Sequence, residues 1–179
     1  AADRPAFLGD HRIFGYAAVL PDFSFLAVGS ACLYYQSRER PENLRLAGVV
    51  DGDELQLMLS VADFALNPMT TGSGSNLKML DYFAAGIPVL STRFGARGLG
   101  VRPGEHYLEA EVDAFPLQLL HQRVLERPLL PMVDRAERHV RQRHGWRAIG
   151  SQATQFILQQ VLPARPAASA RSHLKMVTP

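Results

Sequence analysis

The residues best suited to chemistry lie in one short stretch, Gly72-Ser73-Gly74-Ser75-Asn76-Leu77-Lys78, with Asp81 three positions beyond the lysine. It follows a brief apolar run, Phe64-Ala65-Leu66, closed by Asn67-Pro68, and precedes a helical pattern in which Leu77, Leu80, Phe83 and Ala84 recur at three and four. Gly86 and Pro88 stop that pattern. The stretch is therefore expected to leave the carboxyl end of a strand and enter the amino end of a helix. Glycine permits positive φ and close approach of a ligand to the backbone. The first helical N–H groups lack internal partners and carry the positive end of the helix dipole, which suits phosphate. Ser73, Ser75 and Asn76 add donors. Lys78 and Asp81, three apart, share a helix face. The ammonium can neutralise phosphate, and the carboxylate can accept from vicinal sugar hydroxyls; together these describe a nucleotide. The spacing is neither that of a P-loop nor that of the dinucleotide fingerprint. A second reading stays open beside this one: a glycine-serine loop and cap with a surface Lys–Asp pair.

The elements that must hold this stretch alternate along the chain. Short strand candidates are Ala6–Leu8, Phe23–Val28, Leu44–Leu46, Phe64–Leu66, Pro88–Ser91 and, more weakly, Tyr107–Leu108. Asp51 or Asp53 can cap a helix carrying Leu55, Met58, Leu59 and Ala62. Strand, helix, strand at this spacing predicts right-handed βαβ units, hence an α/β fold with a mostly parallel sheet of about six strands in three layers. Beyond residue 112 the pattern is helical: one segment from Phe115, one over Leu130–His144 and one over Trp146–Leu162. Residues 163–179 read as a flexible tail, leaving one domain over 1–162.

Composition narrows the class. The chain has 179 residues, of which 47% are hydrophobic and 20% charged, which excludes a disordered polymer. No apolar run approaches the roughly 20 residues of a membrane span. The single cysteine, Cys32, excludes a disulfide framework, is expected to be inert and suits the cytoplasm. Ala1–Pro5 carry neither a secretory signal nor an initiator methionine, so the chain reads as a fragment or excised domain. The net charge of +2 gives no case for nucleic acid. Charge is uneven, however: residues 134–179 hold eight basic and two acidic groups. Arg135, Arg138, Arg141 and Arg147 then form either a solvated helix face or a peripheral contact with the inner face of a membrane.

The motifs Pro41-Glu42-Asn43-Leu44, Ala62-Asp63, Gly72 through Lys78, Asp81, Ala85-Gly86-Ile87-Pro88-Val89, Thr92 and Gly95-Ala96-Arg97-Gly98-Leu99, taken in this order, resemble the C-terminal domain of group 1 (family 4-like) glycosyltransferases. Gly104-Glu105-His106 and Trp146-Arg147 extend the resemblance, which spans roughly residues 6–160. It implies one half of a GT-B fold: a Rossmann-like domain with C-terminal helices that holds a nucleoside-diphosphate sugar without a metal or other cofactor. By the same resemblance, Gly72, Ser73, Gly74, Ser75, Asn76 and Leu77 contact donor phosphates and sugar, Lys78 stands near the diphosphate, and Asp81 holds the ribose hydroxyls. The family's paired glutamates fall here on Ser73 and Asp81, a departure at both places. The family's strand order sets the first turn, Gly9-Asp10-His11-Arg12, opposite the glycine-rich one, making Gly9, His11 and Arg12 further donor contacts; for His11 a solvated loop position is the competing reading. Arg97 either meets a donor phosphate or the acceptor, or belongs to a structural turn.

The expected function is thus the donor-binding half of a transferase moving a sugar from a nucleoside diphosphate to a hydroxyl acceptor with retention. Lys78 stabilises the departing phosphate, and no residue is assigned to bond breaking. The resemblance puts the acceptor site on an N-terminal domain absent from these residues, so the chain alone is expected to be inactive. A non-catalytic nucleotide-sugar binding module and half of an epimerase are the alternatives. Asp22, Glu42 and Asp63 are expected at caps or turns, His139 and His144 solvated, and Tyr34-Tyr35 either stacked on a base or packed.

Overall fold

The computed structural model describes residues 11–74, 76–125 and 129–161. The strand candidate Ala6–Leu8 and the tail 163–179 lie outside them. Five strands are present among the described residues: β1 (Phe25–Val28), β2 (Leu44–Gly48), β3 (Ala65–Asn67), β4 (Val89–Ser91) and β5 (Leu108–Glu109). They match the other five candidates, and every pairing is parallel, but among the described residues the strands hydrogen-bond as a two-stranded sheet, β1 with β2, and a three-stranded one, β3–β4–β5, instead of one sheet of about six. The helices are α1 (His11–Val19), α2 (Gly52–Ser60), α3 (Lys78–Ala84), α4 (Phe115–Leu125), α5 (Leu130–Arg143) and α6 (Trp146–Phe156).

Alternation along the strands divides the core into two faces. Ala65 and Val89 point into a cluster with Leu59 of α2, Met79 and Phe83 of α3, and Ala136 of α5. Leu90, one residue on, points the opposite way, into a cluster with Tyr16 of α1, Leu20 just past its end, Phe25, Leu44, and Phe115 and Leu119 of α4. Helices thus cover both faces of parallel strands, the three-layer arrangement that short βαβ crossovers impose. Local chemistry fixes the ends. Asp51, not Asp53, caps α2 in a reciprocal capping box with Glu54. Asn43 donates from Nδ2 to the carbonyls of Ala17, Leu20 and Phe23 at 2.8–3.0 Å, joining the end of α1 to the entrance of β1.

Several expectations change. His11 and Arg12 belong to α1, not to a turn, because Ile13, Tyr16, Ala17 and Leu20 form a helical apolar stripe. His139 and His144 are half-buried and paired, not simply solvated. Both rings hydrogen-bond the carbonyl of Leu99, at 2.8 and 3.2 Å, and His106 stands 5.0 Å from His139 between ring centroids. Arg135 likewise turns inward and donates from Nε to the Glu105 carbonyl at 2.9 Å, while Arg138 and Arg141 stay exposed. The last helical segment is α6 to Phe156, continued by a π-turn over Ile157–Val161. Asp22 lies 3.6 Å from Arg123 as an exposed ion pair. Tyr35 is buried against Phe14, Tyr34 is exposed, and Cys32 is buried with its thiol directed at the Ala27 carbonyl.

Candidate functional site

The strands β3 and β4 run side by side and end, at their carboxyl ends, on two fully buried polar residues, Asn67 and Ser91. In open parallel sheets this edge is where ligands settle. Burying an amide and a hydroxyl there is costly unless each is paired, and here both are. Asn67 Nδ2 donates to Ser91 Oγ at 3.0 Å, and Asn76 Nδ2 donates to Asn67 Oδ1 at 2.9 Å. Thr92 Oγ1 donates to the Met69 carbonyl and accepts from the Gly95 N–H at 2.9 Å. The two loops leaving β3 and β4 are thereby tied together just beyond the strand ends. Gly95 is required by close approach: a Cβ there would stand 2.4 Å from Asn67 Nδ2 and 2.6 Å from Ser91 Oγ.

Above this network the glycine-rich loop is open. Gly72 (φ 135°) and Gly74 (φ 71°) take conformations that L side chains rarely adopt, and Gly72, Ser73 and Gly74 are exposed. Helix α3 begins at Lys78, later than the sequence suggests, because the preceding turn closes by the Leu80 N–H reaching the Leu77 carbonyl at 2.8 Å. It has seven residues, so its dipole is a small contribution, and the cationic character of the corner rests on side chains. Lys78 is half-buried on its first turn. Asp81 lies three residues on and is exposed, and partial desolvation lifts its carboxyl above the ordinary aspartate value.

The structure distributes the sequence-derived residues unequally. Gly72, Ser73, Gly74, Leu77, Lys78 and Asp81 line one corner of the fold. Asn76 belongs to it differently: its amide is directed into the protein, onto Asn67, so it anchors the loop instead of facing outward. Arg97 joins the corner from the loop after β4, its Nη2 3.8 Å from where a Cβ on Gly72 would stand. Arg12 is half-buried on α1, and among the described residues no hydrogen bond or ion pair joins it to the glycine-rich loop. Gly9 and Ser75 lie outside the described residues, as does the side chain of His11. Asn67 and Ser91 were missed; their signal was a polar residue closing each of two apolar runs at a sheet's ligand edge. Among the described residues, no cluster of three or more His, Cys, Asp or Glu could hold a metal ion, and no helix is long and apolar enough to cross a membrane.

Comparison with known proteins bears on the same region. The family model described as "Glycosyl transferases group 1" matches residues 15–121. The chain is 31% identical over 103 residues to the chitobiosyldiphosphodolichol beta-mannosyltransferase of Debaryomyces hansenii, an alignment covering 52% of this chain and 22% of that protein. In fold it is similar to Anabaena Alr3699/HepE, crystallised in complex with UDP, with a TM-score of 0.71 at 16% identity over 84% of this chain and 45% of that one. It is also similar to the pneumococcal O-GlcNAc transferase GtfA, in complex with UDP and GlcNAc, with a TM-score of 0.52 at 14% identity over 82% and 31%. The chain therefore spans less than half the length of each of these relatives. With parallel strands sandwiched between helices and a family match over more than half its residues, the chain belongs to the group 1 glycosyltransferases and has the architecture of a GT-B domain.

Proposed function

We propose that this chain is the donor-binding half of a glycosyltransferase that moves a sugar from a nucleoside diphosphate to a hydroxyl acceptor with retention, the acceptor site lying on a domain not included here. The observation that carries the reading is the fixed corner itself. An open glycine-rich loop is fastened to the sheet by Asn67, Asn76 and Thr92, with Lys78 and Asp81 one helical turn apart beside it. Gly72 to Gly74 offer backbone N–H groups to the diphosphate and Lys78 its charge; Asp81 accepts from ribose hydroxyls. A departing diphosphate gathers negative charge in the transition state, so donors already in place lower that barrier. A base preference for uridine is supported by the UDP carried in both structural neighbours.

Calorimetric titration with UDP and GDP tests the reading. UDP is expected to bind, Lys78→Ala to weaken it about tenfold or more through loss of a charge-assisted contact, and EDTA to leave the affinity unchanged. Absence of binding by either nucleotide would end the reading. The substitution of Ser73 and Asp81 for the family's glutamates favours one rival, a module that binds the donor without transfer. Turnover on adding the complementary domain separates the two, and its absence with donor binding intact supports the rival.

A further inference from the structure

Arg97 is held by two contacts that orient its guanidinium and leave one nitrogen over. Nη1 donates to the Phe94 carbonyl at 2.8 Å, and the guanidinium carbon stacks 3.7 Å above the centroid of the Phe94 ring. Nη2 is shut off from solvent and has no acceptor. An N–H of a permanently charged group without water or partner is unfavourable, so the site favours an acceptor brought from outside. Arg97 forms no ion pair among the described residues, and neither does Lys78. Nη2 is beside Gly72: a Cβ there would stand 3.1 Å from Met69 Cε and 3.8 Å from Nη2, on a backbone at φ 135°, so the loop, Met69 and the guanidinium close on one another at this point.

We propose that Arg97 is a second cation of this corner, donating from Nη2 to a phosphoryl oxygen of a diphosphate seated against Gly72. The inference rests on the reading of the glycine-rich loop as the donor's seat. Two cations without carboxylate partners among the described residues, Arg97 beside Gly72 and Lys78 on the helix that follows the loop, match a group bearing more than one negative charge better than a neutral sugar hydroxyl. The Phe94 stack and the Nη1 bond fix the plane before the ligand arrives, so little freedom is lost on binding. Lysine at this position lacks the second nitrogen needed to hold Phe94 and the ligand together.

The test is calorimetry on the chain with inorganic pyrophosphate, UDP, GDP and uridine, comparing wild type with Arg97→Met and Arg97→Lys. Methionine preserves an apolar stem over Phe94, and equal thermal midpoints certify that the variant folds. Arg97→Met is expected to weaken pyrophosphate and UDP by tenfold to about a hundredfold and flatten the salt dependence of binding, with uridine unaffected. Arg97→Lys is expected to recover only part of the loss. Unchanged pyrophosphate and UDP affinity in Arg97→Met would overturn the role of Arg97 while leaving the donor reading intact. Arg97-dependent pyrophosphate binding without any nucleotide binding would do the reverse. Failure of the wild type to bind pyrophosphate or a nucleoside diphosphate would overturn both.

Discussion

Asn67 is the residue on which the corner turns. Its amide uses both ends inside the protein, donating to Ser91 Oγ and accepting from Asn76 Nδ2, with no water contact of its own. Asn67→Ala takes one partner from Ser91 Oγ, which keeps its bond to the Thr92 carbonyl at 2.9 Å, and one from Asn76 Nδ2, which keeps Met69 Sδ, and should destabilise the fold by about 1–2 kcal/mol in urea unfolding at neutral pH. A cost near zero would mean that the loops are not tied there. Gly95→Ala forces a methyl into the same network and should cost a comparable ~1–3 kcal/mol. Asp81 behaves in the opposite way. Because desolvation raises its folded-state pKa above the unfolded value, the ionised form is disfavoured by folding, and the penalty is present at neutral pH and relieved as pH falls through the carboxylate range. Asp81→Asn should therefore raise the thermal midpoint at pH 7, the advantage shrinking in acid, while weakening UDP. Both signs together would show that Asp81 costs stability and serves binding; an unchanged midpoint and unchanged UDP affinity would remove both roles.

At the scale of elements, the segment between β4 and β5 is clamped onto α5 by histidines. His106 accepts at Nδ1 from the Arg102 N–H at 3.1 Å, and His139 and His144 meet the Leu99 carbonyl. Glu105, Arg102, Arg135 and the exposed Arg143 surround them. Desolvation lowers the His106 pKa, outweighing the attraction of Glu105. Its folded value lies below its unfolded one, so its contribution is complete above the unfolded value and is lost as pH drops through the folded one. Thermal midpoints should fall on acidification below the ordinary histidine range, less steeply in His106→Gln; parallel profiles would remove His106 from the clamp. None of this clamp was legible in the sequence, where His139 and His144 looked like solvated members of a basic helix. Their partner is a backbone carbonyl 40 and 45 residues away, and carbonyls leave no trace in residue type. The strands β1 to β4 were legible because each is a short apolar run ended by Gly, Asn-Pro or Ser, whereas β5, two residues with no such stop, was only faintly marked, and α3 was legible because Gly86 stops it. Helix α1 was hidden by Gly15, a poor helix former in its middle. The loop's direction was legible, but the inward turn of Asn76 was not, since an amide suits a ligand and a buried network equally well.

The molecule as a whole is uneven in how well it is covered. Helices cover both faces of the parallel strands, yet α6 contributes no buried residue. Trp146 is 88% exposed and Phe156 62%, with Ile149 and Ile157 also open, and at 100° per residue these four fall on one stripe with Ala153. An apolar stripe of that length beside the basic residues of α5 is more than scattered surface hydrophobes, and such patches associate. The chain is therefore expected to self-associate as its concentration rises, measurable as a concentration-dependent sedimentation coefficient. Trp146→Glu combined with Phe156→Glu should abolish that dependence without lowering the thermal midpoint, because neither side chain is part of a core cluster. Since Trp146 is the single tryptophan, its emission supplies a second readout: that of a solvated indole in dilute solution, shifting to the blue with association. A blue emission already present in dilute wild type, or a loss of stability in the double variant, would mean that α6 packs against its own domain.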